Sequence, residues 1–141
     1  MSERTLDHVG IAVPSLDEAI ATWAALTEGP AAGRETVLDQ GVEVVFVGSG
    51  HGRVELLAPT RADSPIARFL DRRGPGLHHL CYRVPDLRSA LAAHASAGFE
   101  LIDLEPRRGT HDHLVAFLHP RTSGGVLVEL LEKRDRTVSA I

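Results

Sequence analysis

Residues 8–21 (HVGIAVPSLDEAIA) align with residues 79–92 (HLCYRVPDLRSALA) at an offset of 71. His8 falls on His79, Val13-Pro14 on Val84-Pro85, Leu16 on Leu87, and Ala19 and Ala21 on Ala90 and Ala92. A second match, Val54-Glu55-Leu56-Leu57 with Val128-Glu129-Leu130-Leu131, is offset by 74, so the second copy carries a three-residue loop insertion. A repeat of this length restricts the chain to architectures in which one supersecondary unit occurs twice.

Each copy opens on an apolar run, residues 9–13 and 80–84, that reads as a strand and ends at a proline unable to donate to a ladder. A helix follows. In the first copy Ser15 and Glu18 have capping-box spacing, and Leu16, Ile20, Trp23 and Leu26 form an apolar stripe, with Trp23 read as core. In the second, Asp86 is the cap, Leu87 and Leu91 face inward, and Gly98 stands at the C-terminal end. Three β-type segments come next, residues 35–38, 42–47 and 53–57 in one copy and 100–104, 113–118 and 126–131 in the other. Each half thus reads βαβββ. Between them, Asp63-Ser64-Pro65 starts a short helix and Gly74-Pro75-Gly76 breaks it. The expectation is one α+β domain over residues 1–141, with modules at about 5–60 and 76–133 joined by a helix near 65–72.

At 141 residues the chain can bury a core without covalent staples, so a bound metal would serve function rather than folding. Cys81 is the lone cysteine, which excludes a disulfide scaffold and a thiolate zinc site and fits a reducing compartment. The opening MSERTLDH is polar and no bilayer-length apolar run follows it; the expected location is the cytoplasm, without membrane contact. A formal charge of −4 argues against nucleic acid as a partner. The pairs Arg72-Arg73 and Arg107-Arg108 are either solvated surface or contacts for a phosphorylated small ligand.

The repeat brings two histidines from first strands and two glutamates from last strands into mirrored places: His8, His79, Glu55 and Glu129. Each glutamate interrupts an apolar strand, and a buried carboxylate needs a cation or a strong donor. Any one of the four is unremarkable alone. Their recurrence at matched positions makes an N2O2 set for a divalent ion such as Zn²⁺, Co²⁺, Ni²⁺, Fe²⁺ or Mn²⁺. Four ligands leave a six-coordinate ion two open positions, as catalysis requires. His78 competes with His79 for the ligand place, but the repeat register selects His79.

The stretches DHVGIAVPSLDEAI (7–20), VELLAPTRADSPIARFL (54–70), GLHHLCYRVPDL (76–87) and AFLHPRTSGGVLVELLE (116–132) resemble the vicinal-oxygen-chelate superfamily and, within it, the methylmalonyl-CoA epimerase family. The resemblance implies two βαβββ modules forming a curved mixed sheet around a metal site, a homodimer, and cobalt as the leading candidate for the ion. It also implies inversion at C2 of methylmalonyl-CoA through a metal-stabilised enolate. The family's ligands fall on His8, His79 and Glu129, and its fourth ligand position, Gln or Glu, is Glu55. Glu129 matches a metal-associated base. For the base opposite, relatives carry a glutamate three residues after a glycine, whereas Glu43 stands two after Gly41, a shift that reverses the strand face unless a bulge intervenes. His111 of GTHDH matches a loop histidine able to act as the opposite acid/base or to bind the substrate carboxylate. Two other readings use the same architecture: a glyoxalase-type isomerase of a glutathione hemithioacetal, and a resistance-type binding protein without metal chemistry.

Overall fold

A computed structural model describes residues 4–134. In chain order the elements are β1 (Thr5–Ala12), α1 (Leu16–Thr27), β2 (Glu35–Val37), β3 (Val42–Val47), β4 (Val54–Pro59), α2 (Pro65–Arg73), β5 (Gly76–Arg83), α3 (Leu87–Ser96), β6 (Arg107–Arg108), β7 (Leu114–Leu118) and β8 (Val128–Glu132). Short 3-10 turns punctuate the loops. The pattern is βαβββ twice, with α2 between. Among the described residues no helix is long and apolar enough to cross a membrane.

The chain divides into two units, one of Asp7–His79 and one holding residues 4–6 and 80–134 of the described chain. In the first, β1 runs parallel to β4, and β4, β3 and β2 follow antiparallel. Alternation along the strands sorts side chains onto two faces. Ile11, Val45, Val47, Leu56 and Ala58 form one core with Leu16, Ala19, Ile20, Trp23 and Ala24 of α1. Ala12, Val42, Val44 and Leu57, on the other face, pack with Ile66, Phe69 and Leu70 of α2. Ser64 caps α2, its hydroxyl accepting from the Ala67 amide at 3.1 Å, and Pro65 fills the first turn where no amide partner exists.

In the second unit β5 runs parallel to β8, and β7 and β6 continue antiparallel. Leu87, Ala90 and Leu91 of α3 pack on Ala116, Leu118 and Leu130. Asp86 caps the helix by accepting from the Ser89 amide at 3.1 Å. That contact holds the Asp86 carboxyl below its ordinary value.

Three local expectations need correction. Ser15 has the extended backbone of an N-cap but makes no side-chain capping bond; Asp17 and Glu18 in the first turn complement the helix dipole instead. The inward stripe of α1 runs from buried Leu16 through half-buried Ile20 and Trp23 to half-buried Thr27, which leaves Leu26 66% exposed rather than in the core. Residues 100–104 form no strand. Leu101 makes one isolated bridge to Leu118, and the Asp103 carboxylate accepts from the Phe117 amide at 2.8 Å, so a side chain takes the place of a ladder carbonyl. After Pro106 the strand resumes for two residues as β6.

Candidate metal centre

His8 and Gly10 lie on one face of β1, and the register sets Gly10 beside Glu55 of β4, with Phe46 of β3 beyond it. His79, near the start of β5, completes a cluster within the first unit. Nε2 of His8 and Nε2 of His79 are each 3.3 Å from the same Glu55 Oε1, and 3.3 Å from one another. All three side chains are buried, at 1%, 5% and 3% exposed for His8, Glu55 and His79.

Gly10 is what admits the second ring. A Cβ placed there would stand 2.1 Å from His79 Cε1 and 2.3 Å from its Nδ1, so the imidazole rests directly on the β1 backbone. On the far side of each ring Nδ1 has its own contact: His8 Nδ1 lies 2.7 Å from Asp7 Oδ2, and His79 Nδ1 lies 2.9 Å from His78 Nδ1. Burial alone would raise the Glu55 carboxyl, but hydrogen bonds and charge from His79 and His8 outweigh it and hold the group below the ordinary carboxylate value.

The donor chemistry suits a divalent ion. Imidazole nitrogens and carboxylate oxygens bind Zn²⁺-like ions at about 2.0–2.2 Å, so ligand atoms about 3 Å apart can share one. A divalent ion would stabilise the buried carboxylate in place of protons on the two rings.

Glu129 belongs to the other unit, where it is buried at 8% exposed between Cys81 of β5 and Phe117 of β7. Its surroundings repeat those of Glu55, which stands between Gly10 and Phe46. Phe46 and Phe117 are themselves repeat equivalents, a match the weaker similarity of the middle strands conceals. Glu43 is on β3, which pairs with β4 residue for residue from Val42 with Pro59 to Val47 with Val54. With that unbroken register Glu43 faces away from the side that carries Phe46 and Glu55. Arg34 engages it at 3.5 Å. His111 is exposed on a turn before β7 and adopts left-handed backbone angles, φ 56° and ψ 22°, as does Asp112 with φ 61°. Arg107 and Arg108 have carboxylate neighbours, Asp103 at 3.4 Å and Asp112 at 3.3 Å.

Sequence reasoning missed Asp7, Arg53 and Gly10. Asp7 is 4% exposed and receives the Arg53 guanidinium at 3.0 Å. Its only signal is adjacency to His8.

Residues 7–117 match the Glyoxalase/Bleomycin resistance protein/Dioxygenase superfamily. The chain is 39% identical over 126 residues to the mitochondrial methylmalonyl-CoA epimerase of Homo sapiens, covering 89% of this chain and 72% of that protein. It is 39% identical over 127 residues to the ethylmalonyl-CoA/methylmalonyl-CoA epimerase of Cereibacter sphaeroides, covering 89% and 95%. The crystal structure of methylmalonyl-CoA epimerase from Mycobacterium tuberculosis superposes with a TM-score of 0.89 at 37% identity, covering 96% of this chain and 91% of that one. The fold is therefore the vicinal-oxygen-chelate fold that the repeat and the resemblance led us to expect. The chain belongs to the glyoxalase and bleomycin resistance superfamily and, within it, to the methylmalonyl-CoA epimerase family.

Proposed function

We propose that this chain interconverts the (2R) and (2S) forms of methylmalonyl-CoA, with a divalent ion held by His8, Glu55, His79 and Glu129. The observation that carries the reading is the approach of two imidazole nitrogens to one glutamate oxygen, each at 3.3 Å, among buried side chains of β1, β4 and β5. Glu129, in the equivalent strand position of the second unit, is the fourth ligand in this reading. With both glutamates ionised and both imidazoles neutral, the four side chains bring two negative charges, which a divalent ion balances.

When bound, the ion supplies electrophilic stabilisation to charge developing on the thioester oxygen as the C2 proton leaves. The chain supplies the proton transfers. Glu129 takes the proton from one face of C2, and inversion requires a second group to deliver one to the other. His111 is the better candidate, because Glu43 faces away from Glu55 and is engaged by Arg34. Cobalt as the ion, a homodimer and a cytoplasmic setting complete the proposal.

Incubation of methylmalonyl-CoA with metal-replete protein in D2O tests it. Deuterium at C2, appearing with metal and lost after chelation, is the expected result. No exchange by protein that binds metal would overturn the epimerase assignment, and turnover of a glutathione hemithioacetal instead would replace it.

A further inference from the structure

Both histidines of the cluster have a contact at Nδ1 from the residue immediately before them. This is not ordinary strand geometry, in which neighbouring side chains point to opposite faces. We infer that Asp7 and His78 are positioning residues that hold His8 and His79 with the proton on Nδ1 and the Nε2 lone pair turned toward the ion. The inference rests on the metal reading above and deepens it.

An imidazole that ligates through Nε2 carries its proton on Nδ1, and that proton needs an acceptor if the ring is to keep one orientation. At His8 the acceptor is the Asp7 carboxylate, 2.7 Å from Nδ1. Asp7 is held in turn: the Arg53 guanidinium donates to the same Oδ2 at 3.0 Å. The guanidinium also lies 4.4 Å from the centre of the Phe46 ring, and Phe46 meets the His8 ring edge-on with centroids 5.1 Å apart. Asp7 therefore holds the imidazole at Nδ1 while Phe46 meets its ring, so contacts besides that with Glu55 fix the ring.

At His79 the acceptor is Nδ1 of His78, 2.9 Å away, which fixes the His78 proton on its own Nε2. The His78 ring is placed by Phe69 of α2, edge-on at 5.0 Å. The β1 backbone at Gly10 closes off another side of the His79 ring. Asp7 and His78 are themselves repeat equivalents, offset by 71 like the histidines they support. The position is thus used twice with different chemistry. A carboxylate strengthens the donor power of the imidazole it binds more than a neutral ring does, so His8 is the stronger donor of the two.

Cobalt titration of the whole protein, followed by visible absorption and calorimetry, tests this with Asp7→Asn, His78→Phe and His78→Asn beside the unaltered chain. Asn at 78 keeps an acceptor, whereas Phe keeps only the ring. His78→Phe is expected to weaken Co²⁺ binding by about 10- to 100-fold and His78→Asn to recover most of that loss, while Asp7→Asn, which keeps an amide oxygen as acceptor but loses the charge, weakens it less than His78→Phe does. In the Zn²⁺-loaded protein, nitrogen shifts should show a slowly exchanging Nδ1–H on both histidines, with each variant speeding exchange at its own histidine. Should Asp7→Asn fail to fold, the two His78 variants decide the matter alone. Unchanged Co²⁺ affinity and an unchanged Nδ1–H in His78→Phe would overturn the inference while leaving the metal site standing. Failure of the unaltered chain to bind Co²⁺ would overturn both.

Discussion

At the scale of single residues, the buried cluster depends as much on an absent side chain as on His8, Glu55 and His79. Gly10→Ala would put a methyl carbon 2.1 Å from the His79 ring, well inside van der Waals contact, so the ring must leave or β1 must shift. The expected result is loss of Co²⁺ binding by at least about tenfold, read by calorimetry, as for disturbance of any group that orients a ligand. Glu129→Gln should lower deuterium exchange at C2 by roughly 10²- to 10⁴-fold, the range for removing a proton-transfer group, while binding of the coenzyme thioester changes far less. Equal loss of both would assign Glu129 to binding rather than to proton transfer. The clustered residues His8, His79 and Glu55 were legible in the sequence because the repeat doubles their pattern. Gly10 and His78 were not. The need for a small residue at 10 arises from a ring contributed by a distant strand, and alternation alone sends His78 away from His79, where the structure finds them 2.9 Å apart at Nδ1.

At the scale of elements, local chemistry predicted the helix starts well where the cap is a short side chain with a free amide ahead of it. Ser64 is fully buried and its hydroxyl accepts from Ala67, so Ser64→Ala should destabilise the protein by about 1 kcal/mol in urea unfolding. Asp86 is exposed and its carboxyl is held below its ordinary 3.8, mainly by the Ser89 amide. A depressed carboxyl adds stability above its unfolded value and loses it as pH falls through the folded one. The stability difference between the unaltered chain and Asp86→Asn should therefore be steady above pH 3.8 and close below it, which unfolding at a series of pH values would show. The strand expected at residues 100–104 failed for a reason no periodicity reports. Asp103 satisfies a β7 amide with its side chain, and Pro106 then resets the path before Arg107.

At the scale of the whole molecule, repeat and family resemblance together pointed to the architecture, while the facing of individual glutamates depends on strand register. Strand register showed that Glu43 and Glu55 face opposite sides, a parity that a single residue of loop length can reverse. The metal proposal also has a thermodynamic signature. An ion present at a hundred times its dissociation constant stabilises the folded state by about 2.7 kcal/mol, so dialysis against a chelator should lower Tm by on the order of 10 °C, restored by Co²⁺. A chelator-insensitive Tm would count against an ion held by folded-state ligands.

The first unit ends at His79, inside β5, and not at the Gly74-Pro75-Gly76 break where the second copy starts. A half-length ancestor with the content of one copy would possess one such histidine and one such glutamate, and could not build the His8, Glu55 and His79 cluster from a single chain. Two copies are needed for it, and carrying both in one chain makes their meeting intramolecular, independent of protein concentration.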